Sequence, residues 1–123
     1  MDNRIPEAYR SLWEPITTKV ILYHMTTREN LPSILTHGLL PKDPSPKHWA
    51  GLKAVFLSLP NDPVFKTAHH DVQAHVAEKG EEVVRLHIKT KNQLYRSTDP
   101  KRTFQVISLD QISPDDITMV EDL

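Results

Sequence analysis

The chain has 123 residues, with 15 Lys and Arg against 16 Asp and Glu, and no cysteine. That length fits one domain able to bury a core without disulfide staples, and the missing cysteines exclude thiolate zinc sites and cysteine nucleophiles. The net charge of −1 excludes the strongly basic footprint of many nucleic-acid binders. With no long apolar run and no apolar leader after Met1-Asp2-Asn3-Arg4, the expectation is a cytoplasmic protein with no membrane partner.

Residues 1–18 read as an N-terminal arm with one helical turn around Glu7–Trp13, ahead of a single domain over 19–123. Lys19–His24 reads as a strand, because Val20, Ile21, Leu22 and Tyr23 are β-branched, apolar or aromatic. A polar turn over Thr26–Asn30 follows. Asn30 is the better N-cap of the next helix, since Pro32 then falls in its first turn. Leu31, Ile34 and Leu35 supply its apolar face, and Gly38 ends it as a left-handed cap.

Pro41–Gly51 is a Pro-rich loop carrying His48 and Trp49, and Lys53–Leu59 a short apolar strand. Asp62 and Pro63 open a second helix running to Gly80, with Phe65, Ala68, Val72 and Val76 as its apolar stripe. Glu82–Thr90 alternates, with Val84, Leu86 and Ile88 inward and Arg85, His87 and Lys89 outward. Leu94–Lys101 reads as a basic loop, Thr103–Ser108 as a strand, Pro114–Ile117 as a turn and Thr118–Glu121 as a last strand. The order predicts an α+β domain with small, mainly antiparallel sheets.

Three pieces of this layout resemble the ADP-ribosyltransferase superfamily. The first is Leu22-Tyr23-His24-Met25-Thr26, then Asn30-Leu31-Pro32-Ser33-Ile34-Leu35 and His37-Gly38-Leu39. This strand, His-x-Thr, short helix and Gly-Leu are similar to the NAD-binding opening of DNA-targeting ADP-ribosyltransferase toxins. The second is Ala54-Val55-Phe56-Leu57-Ser58, which resembles the strand bearing the family's second-motif aromatic. The third is Thr103-Phe104-Gln105-Val106-Ile107 with Ile112-Ser113-Pro114-Asp115-Asp116-Ile117, similar to the final catalytic strand and the turn after it. The resemblance spans residues 19–120 and implies small sheets forming an NAD cleft. NAD is then a substrate, DNA, RNA or protein the acceptor of ADP-ribose, and an antitoxin protein a candidate partner, as in toxins or phage–host conflict.

The resemblance implies that His24 hydrogen-bonds an NAD ribose with Thr26 nearby, a role that suits imidazole because it offers one donor and one acceptor. It also assigns cofactor contacts to Tyr23, Phe56 and Ser58, with an aromatic face at Phe56, Tyr23 or Trp49 for nicotinamide. Cleaving the nicotinamide–ribose bond builds an oxocarbenium-like cation, which the family stabilises with a Glu where Gln105 stands here. Gln keeps a hydrogen bond but has no charge. One charge pair at ~4 Å and an effective dielectric of ~20 is worth about 4 kcal/mol, or roughly a thousandfold in rate. Phe56 also lacks the hydroxyl of the Tyr found in many members. Three accounts of Gln105 stay open: an inactivating substitution, a slow or non-catalytic NAD binder, or a shifted alignment in which Asp110 or Glu82 supplies the charge. Beside the transferase stands a second function, a binding module that holds NAD, ADP-ribose or nucleic acid without chemistry.

From Arg85 to Arg102 there are six Lys or Arg residues and one acid, Asp99. In the superfamily the loop before the catalytic strand touches the acceptor, which assigns Tyr95, Arg96, Lys101 and Arg102 to phosphate holding and base stacking. An ordinary exposed hairpin loop explains the same charges. The RNA 2′-phosphotransferase branch needs several basic residues around a phosphate, a set the sequence does not place. His69, His70, Asp71 and His75 form the one metal-like cluster, but only Asp71 and His75 share a helix face, short of the three ligands usual in catalytic zinc. The expectation is no metal. No Gly-rich phosphate loop is present, and Trp13 reads as a packing residue.

Overall fold

Trp13–Ile16, read as part of an arm, joins the sheet as its edge strand in the computed structural model, which describes residues 3–16, 21–42, 52–60 and 82–122. The strands are β1 Trp13–Ile16, β2 Leu22–Thr27, β3 Val55–Ser58, β4 Val83–Ile88, β5 Leu94–Ser97, β6 Gln105–Ser108 and β7 Ile117–Asp122. They form one seven-stranded sheet in the order β1-β5-β6-β3-β2-β4-β7. Every ladder is antiparallel. The expected α+β class thus takes the form of one sheet rather than several small ones.

The pairing along that sheet is uneven. The β2–β4 ladder runs over six pairs, from Leu22↔Ile88 to Thr27↔Val83. The β2–β3 ladder has one, Tyr23↔Ser58. Beyond it the two central strands part, which leaves a seam between a β1-β5-β6-β3 half and a β2-β4-β7 half.

Alternation sorts the side chains onto the two faces. Leu22, Leu57, Leu86, Ile88 and Val106 belong to one core cluster, against which Leu31 and Ile34 of the helix α1 (Leu31–His37) pack. Ile5, Trp13, Tyr95 and Ile107 belong to a second cluster, completed by Leu52 and Ala54. The alternation expected in β4 holds, with Val84, Leu86 and Ile88 at 0% exposure. Leu35 departs from the expected helix face and is exposed, because Leu31 and Ile34 alone meet the sheet.

Leu94–Ser97 is a strand and not the expected loop. β5 lies between β1 and β6, and Leu94, Tyr95 and Ser97 are all buried. Both its faces are covered, so no polar–apolar alternation marks it in the sequence. The strand read at Lys19–His24 is found at Leu22–Thr27 and takes in Thr26 and Thr27, leaving a 3-10 turn over Arg28–Asn30. The helix expected over 62–80, the loop residues His48 and Trp49, and the His69, His70, Asp71 and His75 set lie outside the described residues.

Gly38 ends α1, as expected, with its N–H bonded to the Ile34 carbonyl. Its φ of 78° and ψ of −165° belong to a region open essentially to glycine alone. A β-carbon there would stand 1.9 Å from the Ile112 carbonyl oxygen. That close approach lets Leu39 and Ile112 exchange both main-chain bonds, each 2.9 Å, which ties the end of the helix to the segment after β6.

Candidate functional site

A cavity of about 330 Å³ opens beside the seam, between α1, β2 and β3. Its wall beyond α1 is stapled at both ends. Leu39 is tied to Ile112, and Lys42 exchanges two main-chain bonds of 3.2 Å with Ala54, just ahead of β3. His24 and Thr26 reach it from β2, Asn30, Ser33 and His37 from the helical segment, and Lys42 from the wall.

His24 bridges the seam. Its Nδ1 lies 2.8 Å from the Phe56 carbonyl oxygen. A carbonyl only accepts, so Nδ1 carries the proton, and in the neutral ring Nε2 is then an acceptor. Burial of the ring holds the His24 pKa below its ordinary value. The bond to the Phe56 carbonyl opposes that shift, and the nearby Lys42 charge adds to it. At neutral pH His24 is therefore an uncharged group with a fixed tautomer.

The residues read from sequence fall into two groups. His24 and Thr26 meet at the cavity, where Phe56 contributes the carbonyl that bonds His24, its ring belonging to the other face of the sheet. The Phe56 ring packs against Trp13 in an edge-to-face contact, 6.5 Å between centroids, at the margin of the second core cluster. Tyr23, Ser58 and Gln105 lie in register across β2, β3 and β6. Alternation sets that row on the sheet face opposite His24. Tyr23 is flanked there by Arg85, 4.6 Å above its ring, and by the His87 ring at 4.6 Å. Arg85 and His87 both bond Glu121 Oε1, at 2.7 and 3.0 Å, which joins β4 to β7. These bonds, His87 first, hold the Glu121 carboxyl below its ordinary range.

Gln105 stands at the start of β6, with its N–H on the Arg102 carbonyl. Its side-chain Oε1 is buried, with no hydrogen-bond partner among the described residues. Glu82, one alternative source of charge, is bound to Arg28, and Asp110, the other, is bound to Arg4, with 2.6 and 2.7 Å separations.

Of the residues assigned to an acceptor, Tyr95 is 7% exposed and sits in the second core cluster. That burial removes its ring as a stacking platform for a base, because β5 is a covered strand. Arg96 Nε donates to the Thr103 carbonyl at 2.8 Å. Lys101 and Arg102 remain on the β5–β6 turn, where Asp99 organises the backbone through the Lys101 and Arg102 N–H groups.

Sequence reasoning missed Ser33, His37 and Lys42, and read Asn30 only as a cap. Ser33 and His37 are one turn apart on α1, so a polar stripe beside the apolar one was the available signal. Lys42 carried none, because its position depends on the Lys42↔Ala54 bridge. Among the described residues no group of three or more His, Asp or Glu side chains is placed to hold a metal. None of the described helices is long and apolar enough to cross a membrane. No family model matches the chain, and a search of curated proteins finds no matching relative.

Proposed function

We propose that this chain is an ADP-ribosyltransferase-like protein that binds NAD in the cavity beside His24 and transfers ADP-ribose slowly to a nucleic-acid or protein acceptor. The observation that carries the reading is the His24–Phe56 bond. It fixes the imidazole as a neutral acceptor at a cavity of mixed polar and apolar lining, which suits a ribose hydroxyl. Thr26 and Asn30 add a hydroxyl and an amide beside it, the two 3.4 Å apart. The volume of about 330 Å³ lies at the lower end of the roughly 300–1,000 Å³ typical of ligand sites. It suits one half of a dinucleotide.

A second reading, binding of NAD or ADP-ribose without chemistry, is favoured by Gln105. Its amide carries no charge to set against a ribosyl cation, and it lies on the face opposite His24.

Calorimetry with NAD on this chain and on His24→Ala tests the binding. Saturable binding lost in the variant is the expected result, no binding of NAD to either chain overturns the transferase, and no binding of ADP-ribose as well overturns both readings. Nicotinamide release by Gln105→Glu then separates them. A gain of up to roughly a thousandfold supports the transferase, whereas binding with no release supports the module.

A further inference from the structure

Among the described residues the cavity lining carries positive charge alone. The chain carries 16 Asp and Glu against 15 Lys and Arg, yet among the described residues no carboxylate lines this space. Lys42 supplies its one ammonium among the described residues, beside the imidazoles of His24 and His37. The Lys42 backbone is held by both bonds to Ala54, itself 3% exposed, so the root of the side chain is fixed to the cavity wall. Lys42 makes no ion pair among the described residues. Its charge reaches far enough across the cavity to be felt at the His24 ring.

These groups ask for two different things of a ligand. His24 has committed its Nδ1 proton to Phe56 and offers only an acceptor to a hydroxyl. Lys42 offers only donors and a positive charge. A neutral sugar satisfies the first and leaves the second facing water. A sugar phosphate satisfies both, with the hydroxyl at His24 and the phosphate oxygens at Lys42.

We infer that Lys42 recognises a phosphate of the ligand, so that the cavity selects a phosphorylated nucleotide over the matching nucleoside. The identity of the nucleotide rests on the NAD reading given above, while the preference for an anion rests on the lining. Lys42 is a specificity residue in this account and not a catalytic one.

The test uses the intact chain and ligands that differ by one phosphate. Nicotinamide mononucleotide and nicotinamide riboside are titrated into the chain, Lys42→Gln and Lys42→Arg at low salt and at 0.5 M salt. One charge-assisted contact is worth about tenfold in affinity at a partly solvated site. The expected result is a preference of about tenfold for the mononucleotide, reduced by salt, abolished in Lys42→Gln and kept in Lys42→Arg. Affinity for the riboside stays unchanged in both variants. Lys42 is exposed, so its replacement leaves the fold in place. If NAD binds in a His24-dependent way and Lys42→Gln keeps the full preference for phosphate, the inference is overturned and the NAD reading stands. If neither NAD nor the nicotinamide ligands bind but inorganic pyrophosphate does, in a Lys42-dependent way, the phosphate role stands and the NAD reading fails. Failure of every ligand, pyrophosphate included, overturns both.

Discussion

In the proposed reading His24 serves a ligand hydroxyl only while its ring is neutral, and its environment keeps it so. Its folded pKa lies below the ordinary value of 6.5. Above pH 6.5 the ring is neutral in folded and unfolded chain alike, and the contribution to stability is fully present. As pH falls from 6.5 towards the folded pKa, the unfolded chain takes up a proton that the folded chain refuses, and stability is lost. Below the folded pKa this group changes nothing further. Urea midpoints between pH 7.5 and 5 should therefore fall less steeply in His24→Gln than in the parent chain. Equal slopes would show that the ring is not held neutral. Gln105 poses the reverse case. A carboxylate in its place would inherit a buried oxygen with no partner among the described residues, and burial raises a carboxyl pKa. Any turnover gained by Gln105→Glu should grow with rising pH, which a rate profile between pH 6 and 9 would show. His24 and Thr26 were legible in the sequence because a strand-turn-helix pattern surrounds them. Lys42 was not, because a bridge to a residue twelve positions later, Ala54, sets its place.

Elements with a single buried face were easy to read, and elements outside that condition were not. β4 alternates because α1 and its own core cover one side of it. α1 was bounded by Pro32 and Gly38, each with a local physical reason, whereas Asn30 makes no side-chain cap bond and turns its amide to Thr26 instead. β1 was hidden by Glu14 and Pro15, yet proline is tolerated on an edge strand, and β1 pairs with β5 alone. What recruits β1 is Trp13, 1% exposed and packed on Phe56, with Ile5 at 0% beneath the same arm. Trp13→Ala should cost about 3–5 kcal/mol, read as a lowered urea midpoint. A loss below about 1 kcal/mol would mean that the arm packs only loosely.

At the scale of the molecule the seam decides what can move separately. One pair, Tyr23↔Ser58, joins the two halves of the sheet along β2 and β3, with the His24–Phe56 bond beside it. So few main-chain links would suggest two independent units, but the core cluster shared by Leu22, Leu86, Leu57 and Val106 and the chain order argue otherwise. Of the six connections between successive strands, only β5 to β6 stays within one half, and the other five cross the seam. Native-state hydrogen exchange should accordingly give one opening free energy for Leu86 and Val106, on opposite sides of the seam. Two distinct values would show that the halves open separately. The same interleaving sets a timetable for biosynthesis. β2 and β3 emerge early, but their outer neighbours β4 and β6, and β7 beyond β4, follow from the second half of the chain. Pairings between distant segments form slowly, and the Leu39–Ile112 tie behind the cavity waits for residue 112. A nascent chain thus carries His24 long before the cavity beside it is walled. The wall of the cavity is complete only when the segment through Ile112 has folded back onto Leu39.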